Sequence, residues 1–111
     1  MSVKEIIYEV NLEVDVEVLD TFVPWLEEHI EQMLTFDGFK SSEVLTDEEN
    51  EEEGSQRKHY TVQYRLENRA SLNSYFENHA AAMRGDGMNR FGGKFSATRR
   101  ILESQYKKVK N

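Results

Sequence analysis

Trp25-Leu26-Glu27-Glu28-His29-Ile30, followed by Met33, returns fifty positions later as Tyr75-Phe76-Glu77-Asn78-His79-Ala80, followed by Met83. Each copy runs aromatic, apolar, Glu, polar, His, apolar, and each closes on Met at the same offset. Each also lies between two stretches that alternate as strands do. A strand-helix-strand unit written twice is a statement about fold, and it sets one histidine at the same point of each helix.

Upstream of the first copy, Ile6, Tyr8, Val10, Leu12 and Val14 alternate with Glu9, Asn11 and Glu13. A period of two over Ile6–Val14 predicts a strand with one buried face. Phe22, Val23, Leu26, Ile30, Met33 and Leu34 then recur at steps of three and four, the stripe of an amphipathic helix. Pro24 interrupts it. A helix that starts near Asp20 or Thr21 puts Pro24 in the first turn, where a missing N–H matters least. Asp37-Gly38 ends this unit.

Phe39 to Thr46 reads as a second strand, polar enough at Ser41, Ser42 and Glu43 for a sheet edge. Lys58 to Glu67 alternates again, with Tyr60, Val62, Tyr64 and Leu66 inward and Thr61, Gln63 and Arg65 outward. Asn68 or Ser71 can cap a second helix, whose stripe is Leu72, Phe76, His79 and Met83. Gly92-Gly93 turns the chain into a last strand, from Lys94 to about Glu103. There Phe95, Ala97 and Ile101 share a parity with Arg99. Either Arg99 enters the edge of the core, or a bulge switches the face partway.

The order is β-α-β-β-α-β. It predicts an α+β, ferredoxin-like fold: a four-stranded antiparallel sheet with both helices on one face. The internal repeat agrees, because that fold relates its halves by an approximate two-fold axis.

The 111 residues read as one domain, 1–111, with an acidic loop at 47–54 and a basic tail at 104–111. Hydrophobic residues make up 38% and charged residues 32%, the balance of a globular domain with a solvated exterior. There is no cysteine, which excludes disulfides, thiolate nucleophiles and Cys-based zinc sites and points to a reducing cytoplasm. No apolar run approaches the ~20 residues needed to span a bilayer. The opening Met1-Ser2-Val3-Lys4-Glu5-Ile6 does not read as a signal peptide. A net charge of −7 argues against a nucleic-acid partner, since phosphate neutralisation needs a basic surface. The acidic run Asp47–Glu53 lacks the alternating ligands and central Gly of a calcium loop and reads as a solvated loop.

Chemistry is most readily placed on the two helical histidines. His29 and His79 hold the same place in their stripes, and antiparallel helices would let them face one another near the pseudo-axis, within reach of a shared ligand. Imidazole suits proton transfer near neutral pH. Only Glu28 or Glu77 is close enough in sequence to add a metal ligand, and the His-Glu-x-x-His spacing is absent, so neither a metal nor a cofactor is expected. The ordinary alternative is that each is a structural histidine.

The outward sheet face offers Glu9, Asn11, His59, Thr61, Gln63 and Arg65. It reads as a solvated lattice with cross-strand pairs such as Glu9 with Arg65. Two such faces closing into a barrel would make a wet interface. An RNA module is disfavoured, because the tyrosines of Tyr60-Thr61-Val62-Gln63-Tyr64 share the core parity rather than the outward one. Arg84-Gly85-Asp86 carries no weight as a tripeptide.

The opening Ile6-Ile7-Tyr8-Glu9-Val10, the central Tyr60-Thr61-Val62-Gln63-Tyr64 and the closing Arg90-Phe91-Gly92-Gly93-Lys94-Phe95 with Arg99-Arg100-Ile101-Leu102 resemble a small bacterial family, domain of unknown function 4286. Trp25, His29 and His79 fit the same pattern. The resemblance covers about residues 6–103, and the acidic insert at 47–53 is longer than the family's pattern leads one to expect. It implies a compact ferredoxin-like domain close in shape to dimeric α+β barrel proteins, and it brings no catalytic residue with it.

The leading expectation is a small cytoplasmic binding or accessory module without catalysis, able to form a homodimer and to bind a small molecule. Trp25, Tyr64, Arg65 and Arg99 are its candidate ligand-binding residues. The alternative is a cofactor-independent enzyme of the dimeric-barrel type, an oxygenase or isomerase. In that reading His29 or His79 is the general base, and Arg65 or Arg99 steers a small anionic substrate.

Overall fold

In the computed structural model, which describes residues 4–48 and 54–111, four strands form one antiparallel sheet in the order β2-β3-β1-β4. They are β1 (Ile6–Asp15), β2 (Phe39–Leu45), β3 (Arg57–Leu66) and β4 (Phe95–Glu103). A short 3-10 turn leads from β1 into α1 (Leu19–Met33), and β3 is followed by α2 (Arg69–Asn78) and α3 (Ala80–Phe91). The expected α+β ferredoxin-like fold is the one observed.

All the helices share a face of the sheet. Ile6, Tyr8, Leu12 and Val14 of β1 and Val62, Tyr64 and Leu66 of β3 bury themselves against Phe22, Leu26 and Met33 of α1, Leu72 and Tyr75 of α2, and Ala80 and Met83 of α3. Alternation in the strands selects these residues, since period two sends every second side chain to the helices. The polar β2 occupies a sheet edge, as its composition predicts.

Pro24 departs from expectation. α1 begins at Leu19, so Pro24 is its sixth residue and lies beyond the first turn. The hydrogen bond it forgoes belongs to the carbonyl of Asp20, and both residues are exposed, so water can satisfy that oxygen.

The second helix is broken where the sequence reads continuous. Asn68 caps α2, its side chain accepting from the Ser71 N–H at 2.9 Å. At His79 the backbone leaves helical values (φ −132°), and α3 restarts at Ala80. The break rotates the stripe. Leu72, Tyr75, Ala80 and Met83 are buried, whereas His79 is exposed. The expected inward position of His79 is therefore corrected.

The last strand keeps a single register against β1, from Val14 opposite Phe95 to Ile6 opposite Glu103. No bulge intervenes, so Arg99 stands opposite Val10 on the helix-facing side of the sheet. Gly92, at φ +54°, makes the turn from α3 into this strand. On the other face the pairing also differs from expectation. Glu9 pairs with Arg100 across β1 and β4, and Arg65 reaches Glu5 at 3.3 Å. Most of the acidic run, residues 49–53, lies outside the described residues. Among the described residues no helix is long and apolar enough to cross a membrane.

Candidate functional site

The helices leave the β4 side of the sheet incompletely covered: Arg99 and Ile101 face them and are nevertheless exposed. Beside this opening lies a cavity of about 270 Å³. Its floor is the inner face of β1, β3 and β4, including Tyr8, Tyr64 and Arg99, and its walls are Trp25 and His29 of α1, Tyr75 of α2, and Arg84, Gly87 and Met88 of α3.

Trp25 is fixed on several sides. Its indole Nε1 donates to Asp86 Oδ2 at 2.8 Å, and Asp86 also accepts from Arg90 Nε at 3.3 Å, one helical turn further on. The Trp25 hydrogen bond, helped by Arg90, holds the Asp86 carboxyl below the usual carboxylate range against the opposing effect of burial. Gly87 lets α3 approach the indole: a Cβ there would lie 3.0 Å from Trp25 Cη2. On its other side Trp25 lies against His29, with ring centroids 4.7 Å apart and planes 30° from parallel.

His29 is half-buried, and burial pushes its pKa below the ordinary imidazole value. Asp86 pulls it back up and Arg99 pushes it further down. The ring is accordingly neutral at neutral pH. Below it, burial drives the Tyr64 hydroxyl well above the usual phenol range and Tyr75 up to about 12. The field of Arg99 reaches His29, Tyr64 and Tyr75, and that of Arg84 reaches Tyr75. Arg84 Nη2 donates to the Tyr8 hydroxyl at 3.0 Å, with its guanidinium carbon 5.9 Å from the Phe76 ring centroid. The two guanidiniums thus act on one cluster of rings.

Of the residues singled out from sequence, Trp25, His29, Tyr64 and Arg99 meet in this cavity, and Arg65 and His79 do not. His79 stacks on Phe36 with centroids 4.0 Å apart and planes 6° from parallel, between α1 and β2. The two histidines therefore do not face a common ligand. Arg65 points to the opposite side of the sheet, where Glu9, Asn11, Thr61 and His59 form a hydrogen-bonded lattice. In that lattice His59 Nδ1 meets Asp47 at 2.9 Å. Among the described residues no three His, Asp or Glu side chains are gathered to hold a metal ion.

Sequence reasoning missed Arg84, Asp86 and Gly87. The available signal was helical spacing: from the buried Ala80 and Met83, steps of three and four reach Gly87 and bring Arg84 alongside it. Setting Arg84-Gly85-Asp86 aside as a tripeptide without weight hid this.

Comparison with known proteins agrees with the architecture. A conserved protein from Methanosarcina mazei Go1 superposes with a TM-score of 0.69 at 16% identity, covering 92% of this chain and 94% of its own. A provisionally assigned antibiotic biosynthesis monooxygenase from Deinococcus radiodurans gives 0.64 at 14% identity, covering 96% of each chain. A dimeric ferredoxin-like protein from an uncultured marine organism gives 0.63 at 8% identity, covering 94% of this chain and 98% of its own. At such identities the likeness is one of fold. No curated protein matches the chain. The model of a domain of unknown function, DUF4286, matches residues 5–105, and the chain belongs to that family.

Proposed function

We propose that this domain is a binding module for small, ring-bearing anions, taken into the cavity between the helices and the sheet. One observation carries the reading. In a chain of net charge −7, the described residues lining the cavity include two arginines and an imidazole and not one carboxylate. The remainder of the lining is largely aromatic and aliphatic. An apolar cavity with a few convergent polar groups is the usual form of a small-molecule site, and this volume suits a ligand of roughly one or two rings. A carboxylate or phenolate would meet Arg99 and Arg84 while its ring packs on Trp25 and the tyrosines.

Trp25 is the sole tryptophan, so its emission reports on the cavity directly. Titration with benzoate should quench or shift that emission, and neutral benzamide should bind more weakly. Arg99→Gln should weaken benzoate by about tenfold or more, the scale of one charge-assisted hydrogen bond. Equal affinity for benzoate and benzamide would sink the reading.

A second reading, catalysis with His29 as general base, draws support from its burial and neutral ring. The structural relative described as a monooxygenase is compatible with it. Under this reading a bound, weakly acidic carbon acid would exchange deuterium from solvent in the presence of the protein and not of His29→Gln. We also propose that two copies pair in a cytoplasmic setting; the dimeric relative and the absence of cysteine support these points. Sedimentation at two concentrations should show a dimer that grows with concentration.

A further inference from the structure

We infer that the cavity takes up its anion together with a proton, which His29 receives, so that the site selects anions more strongly as the pH falls. This rests on the binding reading above and adds the regulation of the same site.

Charged groups and aromatic rings surround the imidazole. Trp25 lies against it within α1, with the two ring planes 30° from parallel. The charges of Asp86 on α3 and Arg99 on β4 act on it, and Arg84 of α3 with the rings of Tyr8, Tyr64 and Tyr75 from β1, β3 and α2 lines the same cavity. Asp86 favours a proton on His29, and Arg99 and burial oppose one. Asp86 is partly committed elsewhere, since Trp25 and Arg90 hold both its oxygens. With the cavity empty, the balance leaves the imidazole neutral. An anion docked on Arg99 would cancel the one repulsive charge acting on His29 and place a negative charge in the same partly enclosed cavity. Both effects favour the imidazolium. No covalent step is needed: the proton comes from solvent, and the bound state is anion plus imidazolium.

Linkage then fixes the direction. A ligand that raises a group's pKa is bound more tightly by the protonated form, and the coupling is reciprocal. Affinity should be constant above the pKa of His29 in the complex. It should rise as the pH falls through that value, by at most about tenfold per pH unit, and level off below the pKa of the empty site. Of the three histidines, only His29 lines this cavity.

The test uses benzoate, which stays ionised throughout. Calorimetric titration in two buffers of unlike ionisation enthalpy, between about pH 5.5 and 8, should show uptake of between zero and one proton. Kd should fall over the same window, and benzamide should show neither effect. His29→Gln should bind benzoate with a Kd flat in pH and no proton exchanged. Asp86→Asn should move the window to lower pH. The imidazole can also be followed in the unmodified protein by NMR: benzoate should move the His29 titration to higher pH and leave the His59 and His79 signals in place. Benzoate that binds with no proton uptake and a flat Kd would overturn this inference and leave the binding reading standing. Proton uptake persisting in His29→Gln would overturn the assignment to His29. Trp25 emission unmoved by benzoate to ~10 mM at either end of the range would contradict the binding reading itself.

Discussion

A methyl group added at Gly87 would sit 3.0 Å from Trp25 Cη2 and 3.3 Å from Phe95 Cζ, closer than ordinary packing allows. Two effects compete in Gly87→Ala. Replacing glycine in a helix interior stabilises by up to about 1 kcal/mol, while forcing a well-packed ring aside costs about 1–3 kcal/mol. The second should win, because the indole is also hydrogen-bonded to Asp86 and packed against the rings of His29 and Phe91. The expected result is a lowered midpoint in thermal unfolding and benzoate binding weakened by about tenfold, read from Trp25 emission. Glu9, on the far side of the sheet, makes a pH-dependent prediction. Hydrogen bonds from Arg100, then Gln63 and Asn11, outweigh burial and lower its pKa from 4.5 to about 2. Its folded pKa is depressed, so its contribution is complete above 4.5 and is lost as the pH falls toward about 2. Glu9→Gln should therefore be less stable than the parent at neutral pH by ~1–3 kcal/mol in denaturant unfolding, and the gap should close over that acid window.

Among the elements, the second helix explains why the matching halves diverge. The repeat places His29 and His79 alike, but α1 is continuous and the second helix breaks at His79, where the backbone reaches φ −132°. No glycine or proline marks that break in Phe76-Glu77-Asn78-His79-Ala80, so periodicity alone runs straight through it. The structure gives a local contributor, in that Asn78 Nδ2 turns back to the Ser74 carbonyl at 3.0 Å. His79 then leaves the inner stripe and covers Phe36. His79→Ala should accordingly cost about 0.5–1.5 kcal/mol in denaturant unfolding, the scale of one aromatic pair, and leave benzoate affinity unchanged. His29→Ala should do the reverse of the latter and alter binding. If His79→Ala weakened benzoate as much as His29→Ala, the separation of the two histidines would be wrong.

For the molecule as a whole, the strands and the helical face were legible because period-two and period-3.6 patterns are separately strong in Ile6–Val14, Lys58–Glu67 and Phe22–Leu34. Four residues of the candidate site were legible too: His29 and Tyr64 lie on inward-facing positions of those patterns, Trp25 opens the repeat, and Arg99 shares the parity of Phe95 and Ala97 in the last strand. Arg84, Asp86 and Gly87 were not, because their importance depends on how close α3 comes to Trp25, and a sequence carries no distances. Arg65 misled for a plainer reason: a cation on the outward parity of β3 can only serve the outward face. On the binding reading proposed above, the ligand enters between the helices and the sheet. Amide chemical-shift mapping during a benzoate titration is the decisive measurement. Perturbations should group at Trp25, His29, Arg84, Gly87 and Phe95–Arg99, with Glu9, His59 and Arg65 undisturbed. Shifts confined to the outward face, or none in the cavity at saturating benzoate, would contradict that reading.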